Sequence, residues 1–305
     1  MDYATLTQIR DYLKLSAAET ADDTLLQRFI NDAADYINDI RRCDVRYETR
    51  YYDYPIQAAS AFGVYDAETW VAQMNAAGLL SQGRLALDDD LLALDSVVNG
   101  NVVVIPLTEL VTEPANLYPK HILRLKRGSD YRWLPGTNGE REQVIAVAGL
   151  WGYRQGYATA WVNSLDTVRD LGGISATAAT ITVSDADAAA ADLESPRFQA
   201  GQLLKLADEF VTVLAVNTTT NVLTVARAAN GTTAAVHAQG VAVFIFRPAG
   251  KIQLAATRLV VWRYRQKDVN TFDKSTSFET GITIVPATIP NDIRSLLPPP
   301  RRVSL

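Results

Sequence analysis

The feature that most constrains this chain is where its helical periodicity falls. Leu25, Leu26, Phe29, Ile30, Ala33, Tyr36, Ile37 and Ile40 recur at the spacing that puts them on one helix face. A second run, KIQLAATRLVVWRYRQKD, places Ile252, Ala255, Leu259 and Trp262 on one face and starts after Pro248 and Gly250. Apolar stripes of this kind have to be buried against another surface, and the simplest partner for each is the other. The expected fold class is therefore α+β: a helical bundle built from both chain ends with inserted antiparallel β-rich modules. The expected division is residues 1–46 plus 249–305 as the helical domain, 47–165 as a first inserted β-rich module and 166–248 as a second.

Local signals fill in this outline. Thr5 followed by Gln8 fits a capping box ahead of Leu6, Ile9 and Leu13. Asp22 or Asp23 suits the N-terminus of the next helix, and Arg41 and Arg42 suit its end. From Tyr47 the texture changes to aromatic alternation, YETRYYDYPIQ, the signature of a strand. Residues 66–80 are read as a short helix capped by Asp66. Short β-branched runs follow, and Asn99-Gly100 between two of them predicts a two-residue hairpin turn with positive φ at both positions. QLLKLADEFVTVLAVN, NVLTVAR and VAVFIF predict a small barrel or sandwich. SFETGITIV is read as extended, and TIPNDIRSLLPPPRRVSL as one short helix stopped by three prolines. The segment from Thr288 is expected to be extended and to dock either on a neighbouring copy or on the partner protein against which such copies assemble.

Composition excludes several classes. With 305 residues, 48% apolar and 21% charged, the chain has the make-up of a folded protein of two or three domains. A net charge of −5 supplies no basic field to recruit nucleic acid, although DNA could still pass by such a surface. The opening MDYATLTQIRDYLKL lacks the basic and apolar regions of a signal peptide, and no apolar run reaches membrane-spanning length. Expression in a cytoplasm, without membrane contact, is the expectation.

Candidates for chemistry are few. RAANGTTAAVHAQG holds His237 beside Thr232, Thr233 and Arg227, and His121 heads the run HILRLK. The single cysteine, Cys43, follows an amphipathic helix. No GxSxG elbow, P-loop, HExxH pair or EF-hand spacing accompanies them, and the run Asp88-Asp89-Asp90 is read as a strand start or turn cap. No catalytic residue, metal ligand or cofactor is expected, and the chain is not read as an enzyme. The residues that favour an interface are Arg258, Trp262, Arg263, Arg265 and Lys267 on the last long helix, with Arg294, Arg301 and Arg302 beyond it. Arg258 and Arg265 share one face, and Arg263 and Lys267 another.

ATLTQIRDYLKL followed by DDTLLQRFINDAADYIND resembles the opening of the head–tail connector (adaptor, neck) proteins of tailed bacteriophages. LAATRLVVWRYRQKD followed by TIPNDIRSLLPPPRR is similar to their C-terminal pair. DLLALDSVVNGNVVVIP and VIAVAGLWGY look like β-segments of phage neck proteins. The stretch carrying Phe198, Gly201, Glu209, Arg227, Asn230-Gly231-Thr232, His237 and Gly240 resembles a β-module recurrent in phage virions. The resemblance covers the two ends; compact members lack much of 47–248. It implies a virion structural protein, assembled in the host cytoplasm and placed in the neck. It implies a dodecameric ring beneath the portal protein, meeting tail-side neck or tail completion proteins, with double-stranded DNA only as passing cargo for genome ejection. The rival readings are a tail or baseplate β-module protein binding host glycans through Trp70, Trp133, Trp151 or Trp161, and a hydrolase using His237 or Cys43.

Overall fold

A computed structural model describes residues 1–16, 18–55, 84–267, 275–276, 283–284 and 289–299. The chain divides into two compact units, one of Met1–Cys43 with Ala158–Arg302 and one centred on Asp44–Tyr157. The helix expected at 66–80 lies outside the described residues.

The expected helical bundle is overturned. The described chain is dominated by two antiparallel sheets holding eleven strands, accompanied by four short helices. The reason lies in where burial is concentrated. The helices run only 8, 18, 17 and 6 residues, whereas both large apolar clusters are built chiefly from strand side chains.

The sheet of the 44–157 unit has the order β1-β5-β2-β4-β3. Its strands are β1 (Arg46–Tyr52), β2 (Arg84–Val98), β3 (Leu110–Glu113), β4 (Lys120–Leu125) and β5 (Ile145–Trp151). Leu85, Leu91, Val97, Leu123, Ile145, Val147 and Trp151 form its core. Asp88, Asp89 and Asp90 lie inside β2 rather than at a strand start or turn. There Arg50 bonds Asp88 and Asp89, and Tyr52 donates to Asp88. Opposite charge arriving from β1 meets two of the three carboxylates, Asp88 and Asp89.

Asn99-Gly100 does turn the chain, but not as a two-residue loop. Val102 N–H donates to Asn99 O at 2.8 Å, Asn99 N–H donates to Val103 O at 2.9 Å, and the left-handed residue is Val102, at φ 61°. This is the three-residue hairpin in which the last loop residue takes the left-handed angle. Gly100 is needed for a different reason: a Cβ there would stand 2.3 Å from Leu134 O.

The other unit carries the six-stranded sheet β6-β11-β8-β9-β10-β7. Its strands are β6 (Trp161–Thr167), β7 (Thr180–Thr182), β8 (Leu203–Leu206), β9 (Glu209–Asn217), β10 (Val222–Ala226) and β11 (Ala242–Phe246). Arg169 N–H donates to Thr182 O at 2.8 Å, so the chain leaving β6 bonds the opposite edge strand. Val168, Ile181, Leu204, Val211, Leu223, Val243 and Ile245 fill the interior. A separate two-residue ladder joins β12 (Ser275–Thr276) to β13 (Thr283–Ile284).

The helices of this unit are α1 (Leu6–Leu13), α2 (Asp23–Ile40), α3 (Gly250–Gln266) and α4 (Asn291–Leu296). The Thr5–Gln8 capping box is present, with Thr5 N–H donating to Gln8 Oε1 at 3.0 Å and Gln8 N–H to Thr5 Oγ1 at 3.3 Å. Asp22 precedes α2 but makes no side-chain cap bond; its carboxylate is used elsewhere. Leu26, Ile30, Ala33 and Ile37 of α2 are buried, as are Ile252, Ala255, Leu259 and Val260 of α3. The short helix read in TIPNDIRSLLPPPRRVSL is present as α4, so the stretch from Thr288 is not extended throughout.

Candidate interaction surface

Helix α3 is apolar enough on one side to be held and charged enough on the others to reach outward. Its cations divide between two tasks. On the side facing α2, Arg263 pairs with Asp32 and Lys267 with Asp22, while Tyr264 Oη donates to Asp22 at 2.6 Å. Hydrogen bonds from Lys267 and then Tyr264 hold the Asp22 carboxyl below the usual carboxylate range. Lys267 Nζ also sits 4.2 Å from the centroid of the Tyr264 ring. These two cations fasten α3 to α2, so their charge is spent within the unit.

The opposite flank is open. Tyr12 of α1, Arg258, Val261, Trp262, Arg265 and Gln266 of α3, and Pro290, Asp292 and Ile293 at α4 line a groove of about 360 Å³. Arg258 Nη1 donates to Asp292 Oδ2 at 3.0 Å. Both partners are substantially exposed, so this pair contributes little to stability, about 0.2–1 kcal/mol at most. Ile293 is buried and Trp262 half-buried, while Tyr12 remains 47% exposed and Arg265 is exposed. Of the residues that sequence favoured, the fold brings Arg258, Trp262 and Arg265 to this groove and turns Arg263 and Lys267 away. Arg294 is exposed on α4, and Arg301 and Arg302 lie outside the described residues. Tyr12, Pro290 and Ile293 were missed; only proximity of three distant segments marks them.

His237 proves to be part of a buried charge network. The Glu209 carboxylate accepts from Arg227 Nε and Nη2, both at 2.7 Å, and from the backbone N–H groups of Ala228 at 3.0 Å and Ala235 at 2.9 Å. His237 Nε2 lies 2.8 Å away; an ionised carboxylate only accepts, so this nitrogen carries the proton and donates. Burial alone would push Glu209 up. The Arg227, Ala235, Ala228 and His237 donors outweigh it and hold the carboxyl at about 2. Arg227 further donates to Ser175 O and Ala235 O, tying three segments together. With every Glu209 lone pair engaged and His237 4% exposed, the cluster is a clamp within the fold.

The remaining candidates occupy equally quiet places. Cys43 is buried, its N–H donating to Asn38 Oδ1 at 3.0 Å. His121 is half-exposed with Nδ1 3.5 Å from Asp90. Among the described residues no group of three His, Cys, Asp or Glu is arranged to hold a metal, and no helix is long and apolar enough to cross a membrane. Trp133 and Trp151 are buried, and Trp161 packs against Phe210 and Phe246. Trp70 lies outside the described residues.

No family model matches the chain, and no curated protein or solved structure is significantly similar to it.

Proposed function

We propose that this protein is a virion assembly component, a head–tail connector that forms a ring beneath the portal protein and joins the DNA-filled head to tail-side neck proteins. The observation that carries the reading is the open groove of α1, α3 and α4. It is assembled from the two chain ends, the segments whose sequence resembles connector proteins, and it combines Trp, Tyr and Arg around an apolar floor. Double-stranded DNA is a passing cargo in this reading, consistent with a net charge of −5 and no basic field to arrest it. The role is mechanical, not catalytic.

Electron microscopy and native mass spectrometry of the purified protein, alone and with portal protein, test the proposal. Rings stacked coaxially on portal particles are expected. A chain that neither multimerises nor binds portal overturns it.

A further inference from the structure

We infer that Asn138-Gly139, at the exposed tip of the loop before β5, is a site of spontaneous covalent modification, where the asparagine converts through a cyclic imide to aspartate and isoaspartate. This inference stands independently of the connector reading.

The chain contains three Asn-Gly pairs, beginning at Asn99, Asn138 and Asn230. Each has the ingredients of the reaction. The backbone nitrogen of the glycine attacks Cγ of the preceding asparagine, and glycine, with no side chain, leaves that approach open. A nitrogen–carbon bond forms, the Cγ–Nδ2 bond breaks, and the proton of the glycine amide leaves with ammonia. Water then opens the ring at either carbonyl. One opening gives aspartate; the other gives isoaspartate, in which the chain continues through the side-chain carbonyl. The net change is water in and ammonia out. Sequence ranks the three pairs nearly alike, but their surroundings do not.

Asn99 is held at both ends of its carboxamide. It is 3% exposed, accepts through Oδ1 from Gly100 N–H and Leu134 N–H at 3.0 Å each, and donates through Nδ2 to Arg132 O at 2.7 Å. Asn230 is half-buried in a short turn at φ 51° and ψ 41°. That turn is tied down by Thr232, whose Oγ1 donates to Ala229 O at 2.9 Å and accepts from Phe210 N–H at 3.0 Å. Ring closure requires the asparagine to rotate until the next nitrogen faces Cγ. Both anchored sites resist that rotation.

Asn138 is free to make it. Residues 137–140 are exposed, and the Asn138 carboxamide makes no hydrogen bond among the described residues. At Gly139, φ 79°, a Cβ would meet nothing within 4 Å, which leaves room for the ring and for attacking water. Two backbone bonds hold the tip, Gly139 N–H to Gly136 O at 2.8 Å and Gly136 N–H to Glu140 O at 2.7 Å. Bonds at a water-exposed loop tip open far more readily than those over a core. The product changes its surroundings: a new carboxylate stands beside exposed Glu140 and Glu142, and isoaspartate lengthens the chain inside the turn.

The test is peptide mapping of the full chain by mass spectrometry after prolonged incubation in mildly alkaline buffer, with isoaspartyl methyltransferase labelling to score isoaspartate. Asn138 should convert at least about tenfold faster than Asn99 or Asn230, since each hydrogen bond that has to open thins the reactive population severalfold. Isoaspartate should exceed aspartate, the mark of the ring route, and the rate should climb with pH. In denaturant the three pairs should convert at similar rates, because the surroundings that rank them are gone. Asn138→Gln should abolish labelling of this loop while leaving the melting temperature unchanged. Conversion first at Asn99 or Asn230, or equal rates at all three in the folded chain, overturns the inference. So does aspartate at position 138 without isoaspartate.

Discussion

Arg227 and Glu209 meet in a two-pronged ion pair where β10 ends and β9 begins, Nε to Oε1 and Nη2 to Oε2 at 2.7 Å each, with both side chains almost wholly withdrawn from water. A guanidinium and a carboxylate lose hydration when buried, and the ion pair together with matched donors and acceptors offsets that loss here. Removing one partner leaves the other charged and unmatched.

Glu209→Gln is therefore expected to destabilise the protein by about 3–5 kcal/mol in urea unfolding at neutral pH. The folded carboxyl is held at about 2, below its ordinary unfolded value. A lowered folded value means that the stabilisation is complete above the ordinary carboxylate range and disappears as pH falls through about 2. The stability gap between the unmodified chain and Glu209→Gln should narrow steadily in acid. A gap constant down to pH 2 would sink this account.

At the hairpin tip, a β-branched side chain occupies a backbone angle that glycine tolerates far better. Val102→Gly should raise stability by roughly 1 kcal/mol, since the side chain that is lost was exposed. Two residues earlier the opposite holds. Gly100→Ala should cost about 1–3 kcal/mol, because its methyl group would press on the backbone of Leu134 and Pro135. Thermal melts of the two variants should move in opposite directions.

Trp151 separates the glycan-binding reading from a structural one. It is fully buried, donates through Nε1 to Glu48 O at 3.0 Å, and lies under Arg50 at 5.1 Å. Trp151→Ala should destabilise the protein by about 3–5 kcal/mol. A stably folded Trp151→Ala chain that had lost binding on a glycan array would reverse this assignment.

Ile293 anchors α4 against α3 with 2% of its surface exposed. Ile293→Ala is expected to cost about 2–5 kcal/mol, and a chain ending before Thr288 should lose one wall of the groove and with it portal binding. Pull-down on immobilised portal protein checks this. Undiminished binding by the truncated chain would remove the groove from the interface.

Short-range features were legible in the order of residues. The Thr5–Gln8 capping box, the apolar positions of α2 and α3, and strands β4, β5 and β8 to β11 follow from steric preferences acting over a few neighbours. So did the pairing of Arg258 with Arg265 on one helix face and of Arg263 with Lys267 on the other. The fold class did not follow. Periodicity reports that a stripe must be covered but not how much of the core covers it, and the sheets carry the larger share. Asp22 looked like a helix cap because it stands at the right place; Tyr264 and Lys267, far along the chain, claim its carboxylate instead.

Sequence alone determined which segments could be helix, strand or turn, because those choices depend on side-chain shape and on hydrogen bonds to near neighbours. One signal of the clamp was also present: Arg227 and His237 are the sole arginine and histidine between residues 203 and 240. Only the tertiary structure decided that both converge on Glu209, that Tyr12, Trp262 and Ile293 share a groove, and that three valines stand uncovered at a hairpin tip. Those outcomes depend on which distant surfaces come together, and a contact between distant residues leaves no periodic trace in the chain that makes it.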